Sequence, residues 1–160
     1  MDRPQDRIEQ DRLEVERLEL DSRLTELIRV RPWIDEIADR VGLPEEKRFA
    51  VQLCIEETVA NVILHGYRSE PGHPVAITSL IADGSLSFTV DDQAPPFSPV
   101  EFDLNSSNGN AETLSLESMT PGGNGIRLLK HFSGSLRYER TSNGNRLTIV
   151  FPGPFGNSGL

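Results

Sequence analysis

The sequence predicts an α/β two-layer sandwich in which helices cover one face of a mixed β-sheet. Three observations predict it. Helical periodicity runs from Leu24 to near Gly66, the period changes to two from Pro74, and two turn signals, Asp83-Gly84 and Ser142-Asn143-Gly144, punctuate the alternating segments.

In chain order, residues 1–17 read as a charged arm whose apolar residues past Met1 are Ile8, Leu13 and Val15, with a hint of helical spacing from Ile8 through Val15 to Leu18. One domain then spans 18–153, and 154–160 form a flexible tail. Leu18 and Leu20 read as a short strand. Asp21-Ser22 can cap a helix that carries Leu24, Leu27, Ile28, Trp33, Ile34 and Ile37, with Pro32 marking a kink or irregular turn inside it. Gly42 and Pro44 close that helix and open the next, whose first turn holds Glu45 and Glu46, the charge sign a helix start favours. Val75 and Ile77, then Leu86, Phe88 and Val90, alternate around Asp83-Gly84 as a hairpin. After Asp92 comes the corner QAPPFSP, and residues 98–121 lack periodicity, the pattern of a functional lid or a disordered loop. Residues 126–132 read as a short helix. Leu136 and Tyr138 with Leu147, Ile149 and Phe151 make a closing hairpin.

A chain of 160 residues with 36% apolar content is one domain large enough to enclose a core. It has no long uncharged apolar run, so no membrane span is expected, and the opening MDRPQDRIEQDR is charged where a signal peptide must be apolar. The single cysteine, Cys54, excludes an internal disulfide and fits a reducing cytoplasm. Beside Ala50 and Ile55 it reads as a small buried apolar side chain. Twenty-five acidic residues against 16 Lys plus Arg give a net charge of −9, and no basic cluster is present to neutralise phosphates. Direct nucleic-acid binding is therefore not expected.

The most informative pair is Glu57 and Asn61, one helical turn apart on a segment, Phe49 to His65, that is otherwise apolar nearly all round. At 100° per residue neither side chain points straight into solvent, so each needs a partner. Two readings fit. The pair is a polar contact between helices, or it is a site in which the carboxylate takes or orients a proton while the amide oxygen ligates a divalent cation. His65 continues the stripe and also suits a helix C-terminus, where it stabilises the dipole. Asp91 and Asp92 at a strand end serve as turn residues or as site residues. Glu56 reads as a surface or dimer contact, and Trp33 as core.

Taken in order, EETVANVILHGY, a strand running into VDDQAPPF, and PGGNGIRLL resemble the GHKL ATPases (the Bergerat fold), and within them the anti-sigma-factor serine kinases of the RsbW and SpoIIAB type. The resemblance covers roughly residues 18 to 151, and its most specific part is Glu57, Asn61, His65, Gly66 and Tyr67. It implies that Asn61 ligates Mg²⁺ on the ATP phosphates and that Glu57 acts as base or polariser. Asp92 would accept a hydrogen bond from the adenine amino group, and Gly122, Gly123 and Gly125 would close a lid over the phosphates. Three positions depart from the family pattern. Ala94 replaces a glycine and adds a methyl beside the nucleotide. Asn124 replaces a large aliphatic residue. Asn145 stands where a threonine is common, with Thr148 three residues on, and one or neither of them completes the adenine pocket.

The expected activity is that of a cytoplasmic ATP- and Mg²⁺-dependent serine kinase that phosphorylates a STAS-domain anti-anti-sigma protein and sequesters a sigma factor, and the resemblance implies a homodimer with no nucleic-acid or membrane partner. The alternatives are a non-catalytic nucleotide-responsive binding module and an ATPase that uses water as nucleophile.

Overall fold

The computed structural model describes residues 14–82, 84–96, 131 and 134–153. The expected arm to residue 13, the 98–121 segment, the glycines Gly122, Gly123 and Gly125, Asn124, nearly all of the 126–132 helix and the 154–160 tail lie outside the described residues.

Strand β1, Glu14–Asp21, leads through a 3₁₀ segment, Leu24–Arg29, into α1, Val30–Val41, and α2, Glu45–Asn61, which passes directly into a π-helical turn, Val62–Gly66. Strands β2, Pro74–Ala82, and β3, Ser85–Asp92, then form one hairpin, and β4, Ser135–Arg140, with β5, Asn145–Phe151, another. The sheet order is β1-β2-β3-β5-β4.

The two-layer sandwich stands, but all the described pairs are antiparallel rather than mixed. The reason lies in the crossover. A single helix would return the chain to the far end of the sheet and give a parallel neighbour. Here two consecutive helices bring it back to the end it left, so Pro74 pairs with Asp21.

β1 begins at Glu14, inside the expected arm. Its inward row is Glu14, Glu16, Leu18 and Leu20, and the first two answer Arg40 of α1, which lies 3.9 Å from Glu14 and closer still to Glu16. Acidic residues at inward positions hide the alternation that marks a strand. The 3₁₀ segment explains the irregularity expected at Pro32. The helix becomes α-helical at Val30, so the proline falls in the first turn, where a missing N–H breaks no helical bond. Ser22 caps nothing. Its hydroxyl donates to Glu70 O at 2.6 Å and accepts from His73 N at 3.0 Å, while Glu26 reaches back to the Asp21 N–H.

Val30, Ile34, Ile37, Ala38 and Val41 form the buried stripe of α1, and Gly42 ends it in the left-handed region at φ 66°. α2 is buried over a much wider arc, through Ala50, Val51, Cys54, Ile55, Thr58 and Val59. Of these, Val51, Cys54, Ile55 and Val59 join Val75, Ile77, Leu86, Phe88, Val90, Leu147, Ile149 and Phe151 in one core between helices and sheet. Trp33 packs edge-on against Phe88, with centroids 6.1 Å apart, so it belongs to the core as expected. Glu56 faces α1, where it pairs with Arg31 through two contacts, at 2.5 and 3.2 Å.

Candidate active site

Strand alternation separates the two aspartates at the end of β3. Asp91 points to the outer face and pairs with Arg146 at 2.7 Å, whereas Asp92 points inward and is 6% exposed. Asp92 Oδ1 accepts from Asn145 Nδ2 at 2.7 Å and from Ala94 N at 2.8 Å. Among the described residues Oδ2 accepts nothing, so one edge of the carboxylate remains available to a ligand. Burial raises the Asp92 pKa above the ordinary carboxylate range, opposed by those two hydrogen bonds and by the Arg140 charge.

The neighbouring residues hold this edge in place. Gly144 packs against the Asp92–Gln93 backbone so closely that a Cβ there would meet Asp92 O at 1.9 Å. On the helix side, the Tyr67 hydroxyl donates to Pro74 O at 2.6 Å and accepts from Gln93 N at 2.7 Å. Tyr67 therefore joins the end of the helix that carries Asn61 to the residue after Asp92. The turn between them is unusual: after the π turn, Arg68 and Ser69 are both left-handed, at φ 52° and 63°. Such strain and π turns concentrate at functional sites. Tyr67→Phe keeps the ring but strands the Gln93 N–H and a Pro74 carbonyl lone pair. A loss of about 1–3 kcal/mol of stability is expected in denaturant unfolding, and wild-type stability would make the hydroxyl dispensable.

Asn61 is 5% exposed at the last position of α2, and its side-chain amide has no hydrogen-bond partner among the described residues. Glu57, one turn earlier, is half-buried and engaged in an interaction of its own. Its charge adds to burial in pushing the Cys54 thiol up to about 12, which makes that cysteine inert, as expected. His65 lies exposed within the π turn. With Gly66, Tyr67, Gln93, Pro95 and Pro96 it lines a neighbouring cleft of about 500 Å³ whose lining includes none of Glu57, Asn61 and Asp92.

One candidate is corrected. Thr148 pairs with Thr89 on the row facing away from Asp92, because an offset of three from Asn145 reverses the face, so it does not join the Asp92 cluster. Ala94 is 2% exposed, and its methyl packs in the apolar core while its N–H donates to Asp92. Tyr67 as a tether, Gly144 as a close-approach glycine and Asn145 as the partner of Asp92 were not legible as roles. The signal available for Asn145 was its place after the hairpin glycine.

Among the described residues no group of three or more His, Cys, Asp or Glu is placed to hold a metal. A fully protein-made cation cage is therefore lacking in that part of the chain. The Asn61 amide, without a partner among the described residues, does fit Mg²⁺, which takes one or two protein ligands and completes its shell with phosphates and water.

A helical layer over an antiparallel sheet, with an acid and an amide on the last turns of α2 and a buried aspartate at a strand end, defines a nucleotide-binding ATPase domain. The chain belongs to the histidine kinase-like ATPase domain family, which matches residues 20–151, and ATP is the nucleotide that membership implies. Serine/threonine-protein kinase BtrW of Bordetella bronchiseptica (strain ATCC BAA-588 / NCTC 13252 / RB50) is 30% identical over 120 residues, 74% of this chain and 80% of BtrW. The histidine kinase domain of the blue-light activated histidine kinase from Erythrobacter litoralis EL346 superposes with a TM-score of 0.52 at 19% identity, covering 81% of this chain and 60% of that one. Another structure of that kinase gives 0.54 at 20% identity, covering 81% and 41%. This chain thus spans less than two thirds of either histidine-kinase chain, and the likeness concerns the fold. Among the described residues no helix is long and apolar enough to cross a membrane.

Proposed function

We propose that this protein is an ATP- and Mg²⁺-dependent serine kinase of the partner-switching type, acting on a serine of a STAS-domain antagonist and sequestering a sigma factor as a homodimer in the cytoplasm. The observation that carries the reading is Asn61, a largely buried residue whose amide has no hydrogen-bond partner among the described residues and so is open to a ligand, one turn from Glu57 on a helix tied through Tyr67 to the Asp92 strand end. The likeness to BtrW supports the kinase class. The STAS and sigma partners rest on the family resemblance.

The chemistry asked of these residues is mostly positioning. Asp92 Oδ2 accepts from the adenine amino group and fixes the base. Asn61 offers its amide oxygen to Mg²⁺, which supplies charge neutralisation at the phosphates when bound. Glu57 orients the substrate serine hydroxyl and takes its proton as the oxygen forms a bond to the γ-phosphorus. The bond from that phosphorus to the bridging oxygen breaks, and ADP leaves.

Incubation with γ-labelled ATP and a STAS-domain protein tests the proposal. Label on a STAS serine is expected. Free labelled phosphate alone would identify an ATPase, and neither product would identify a binding module. Glu57→Gln should keep its ATP affinity and lose transfer by about 10²–10⁴-fold; transfer at the wild-type rate would make Glu57 structural.

A further inference from the structure

Asn145 is 2% exposed and every hydrogen-bonding position of its side chain is used. Nδ2 donates to Asp92 Oδ1 at 2.7 Å, to Ala94 O at 3.1 Å and to Pro95 O at 3.2 Å. Oδ1 accepts from Arg140 Nη1 at 3.0 Å and from the Tyr138 hydroxyl. An amide has two N–H donors and two lone pairs, so none is left for a ligand. Arg140 Nη1 also reaches Ala94 O at 3.1 Å, which binds β4 to the same short segment.

We propose that Asn145 is a positioning residue that sets nucleobase specificity without touching the base. It occupies Asp92 Oδ1 and anchors the two carbonyls that follow, so the carboxylate can present only Oδ2 to the pocket. An acceptor edge held in that way selects a 6-aminopurine, which donates there, over a 6-oxopurine, which presents a carbonyl. The inference rests on the reading of the site as an ATP pocket.

The groups around Asp92 are Asp91 on its own strand, Asn145 on β5, Arg140 and Tyr138 on β4, and Tyr67 after α2. Asn145→Asp is isosteric and puts a second carboxylate where the Nδ2 donor was. When both are ionised they repel each other, and Oδ1 of Asp92 loses its side-chain tether and keeps only the Ala94 N–H. On acidification the two carboxylates share a proton, which restores a donor to Asp92 Oδ1.

The test is calorimetric binding of ATP, GTP and inorganic tripolyphosphate to the full chain, each variant compared with wild type at the same pH. Wild type is expected to prefer ATP over GTP. Asn145→Asp should bind ATP about 10-fold or more weakly than wild type at pH 8 and recover most of that deficit near pH 5. Asn145→Ala should lose the preference for ATP over GTP while binding tripolyphosphate, which lacks a base, as wild type does. Should that variant fail to fold, Asn145→Thr, with one hydroxyl donor for Asp92 and none for the two carbonyls, should show an intermediate loss of preference. An Asn145→Asp deficit equal at both pH values, or an unaltered base preference in the alanine or threonine variant, would overturn the role of Asn145. A wild-type chain with no preference for ATP would instead overturn the pocket itself.

Discussion

Gly144→Ala is expected to lose both stability and nucleotide affinity. The added Cβ would lie 1.9 Å from Asp92 O, 2.6 Å from Gln93 Cα and 2.7 Å from Asp92 C, all of them backbone atoms that no rotamer change can clear. The β5 hairpin must therefore back away from the end of β3. Gly144 N donates to Thr141 Oγ1 at 3.0 Å, and Thr141 N donates to Gly144 O at 2.9 Å, so the turn is closed on itself and cannot give locally. Overpacking of this kind costs about 3 kcal/mol at its upper range, which corresponds to a Tm lowered by roughly 6–12 °C for a domain of this size. Backing away also parts Asn145 from Asp92, so ATP affinity should fall in whatever fraction remains folded. Thermal unfolding followed by calorimetric titration measures both. A Tm within 1–2 °C of wild type, roughly the shift of a neutral surface change, would mean that the close approach is not maintained in solution.

Asp92→Asn is expected to divide the two properties. Its side-chain oxygen is bound to accept from Asn145 Nδ2 and Ala94 N, the two donors that already point at Oδ1. The new NH₂ group then occupies the Oδ2 position and faces the adenine amino group, donor against donor. Loss of a charged hydrogen bond worth about 3 kcal/mol weakens ATP binding by about 10²-fold. Stability moves the other way. Burial raises the folded pKa of Asp92, so the folded chain binds this proton more tightly than the unfolded chain does. Its contribution is most favourable below the unfolded carboxylate pKa and declines as pH rises through the folded value, which leaves the ionised group a net cost at neutral pH. Asp92→Asn should therefore match or exceed the wild-type Tm at pH 7, and the difference should shrink as pH falls into the carboxylate range. Unchanged ATP affinity in the variant would remove Asp92 from the pocket.

Local pattern reached far into this chain. Both hairpins, the two helices, the left-handed stop at Gly42 and the core role of Trp33 follow from periodicity and turn chemistry, because each is decided by residues near one another in sequence. The start of β1 did not follow, since Glu14 and Glu16 occupy inward positions and are stabilised by Arg40 from α1, a partner that no strand template contains. Ser22 looked like a helix cap and instead ties β1 to the turn before β2, again a contact distant in sequence. At the site, Glu57, Asn61 and Asp92 stood out as polar groups in apolar company or at a strand end. Thr148 entered through the resemblance alone, and the alternation of Leu147, Ile149 and Phe151 already put residue 148 on the opposite face. Asn145, Gly144 and the Tyr67 hydroxyl reach the Asp92–Gln93 strand end from positions distant in sequence, where local periodicity carries no information.

The chain's one cysteine offers a native reporter of motion in the site helix. Cys54 is 1% exposed and sits one turn before Glu57 on α2. With its thiol pushed up to about 12, a thiol-directed reagent has almost no anion to attack while the helix is seated. Labelling must therefore wait for α2 to part from the sheet, and its rate counts those openings directly. The fold thus contains a stopwatch on the element that carries Glu57 and Asn61, readable by mass spectrometry without altering a single residue.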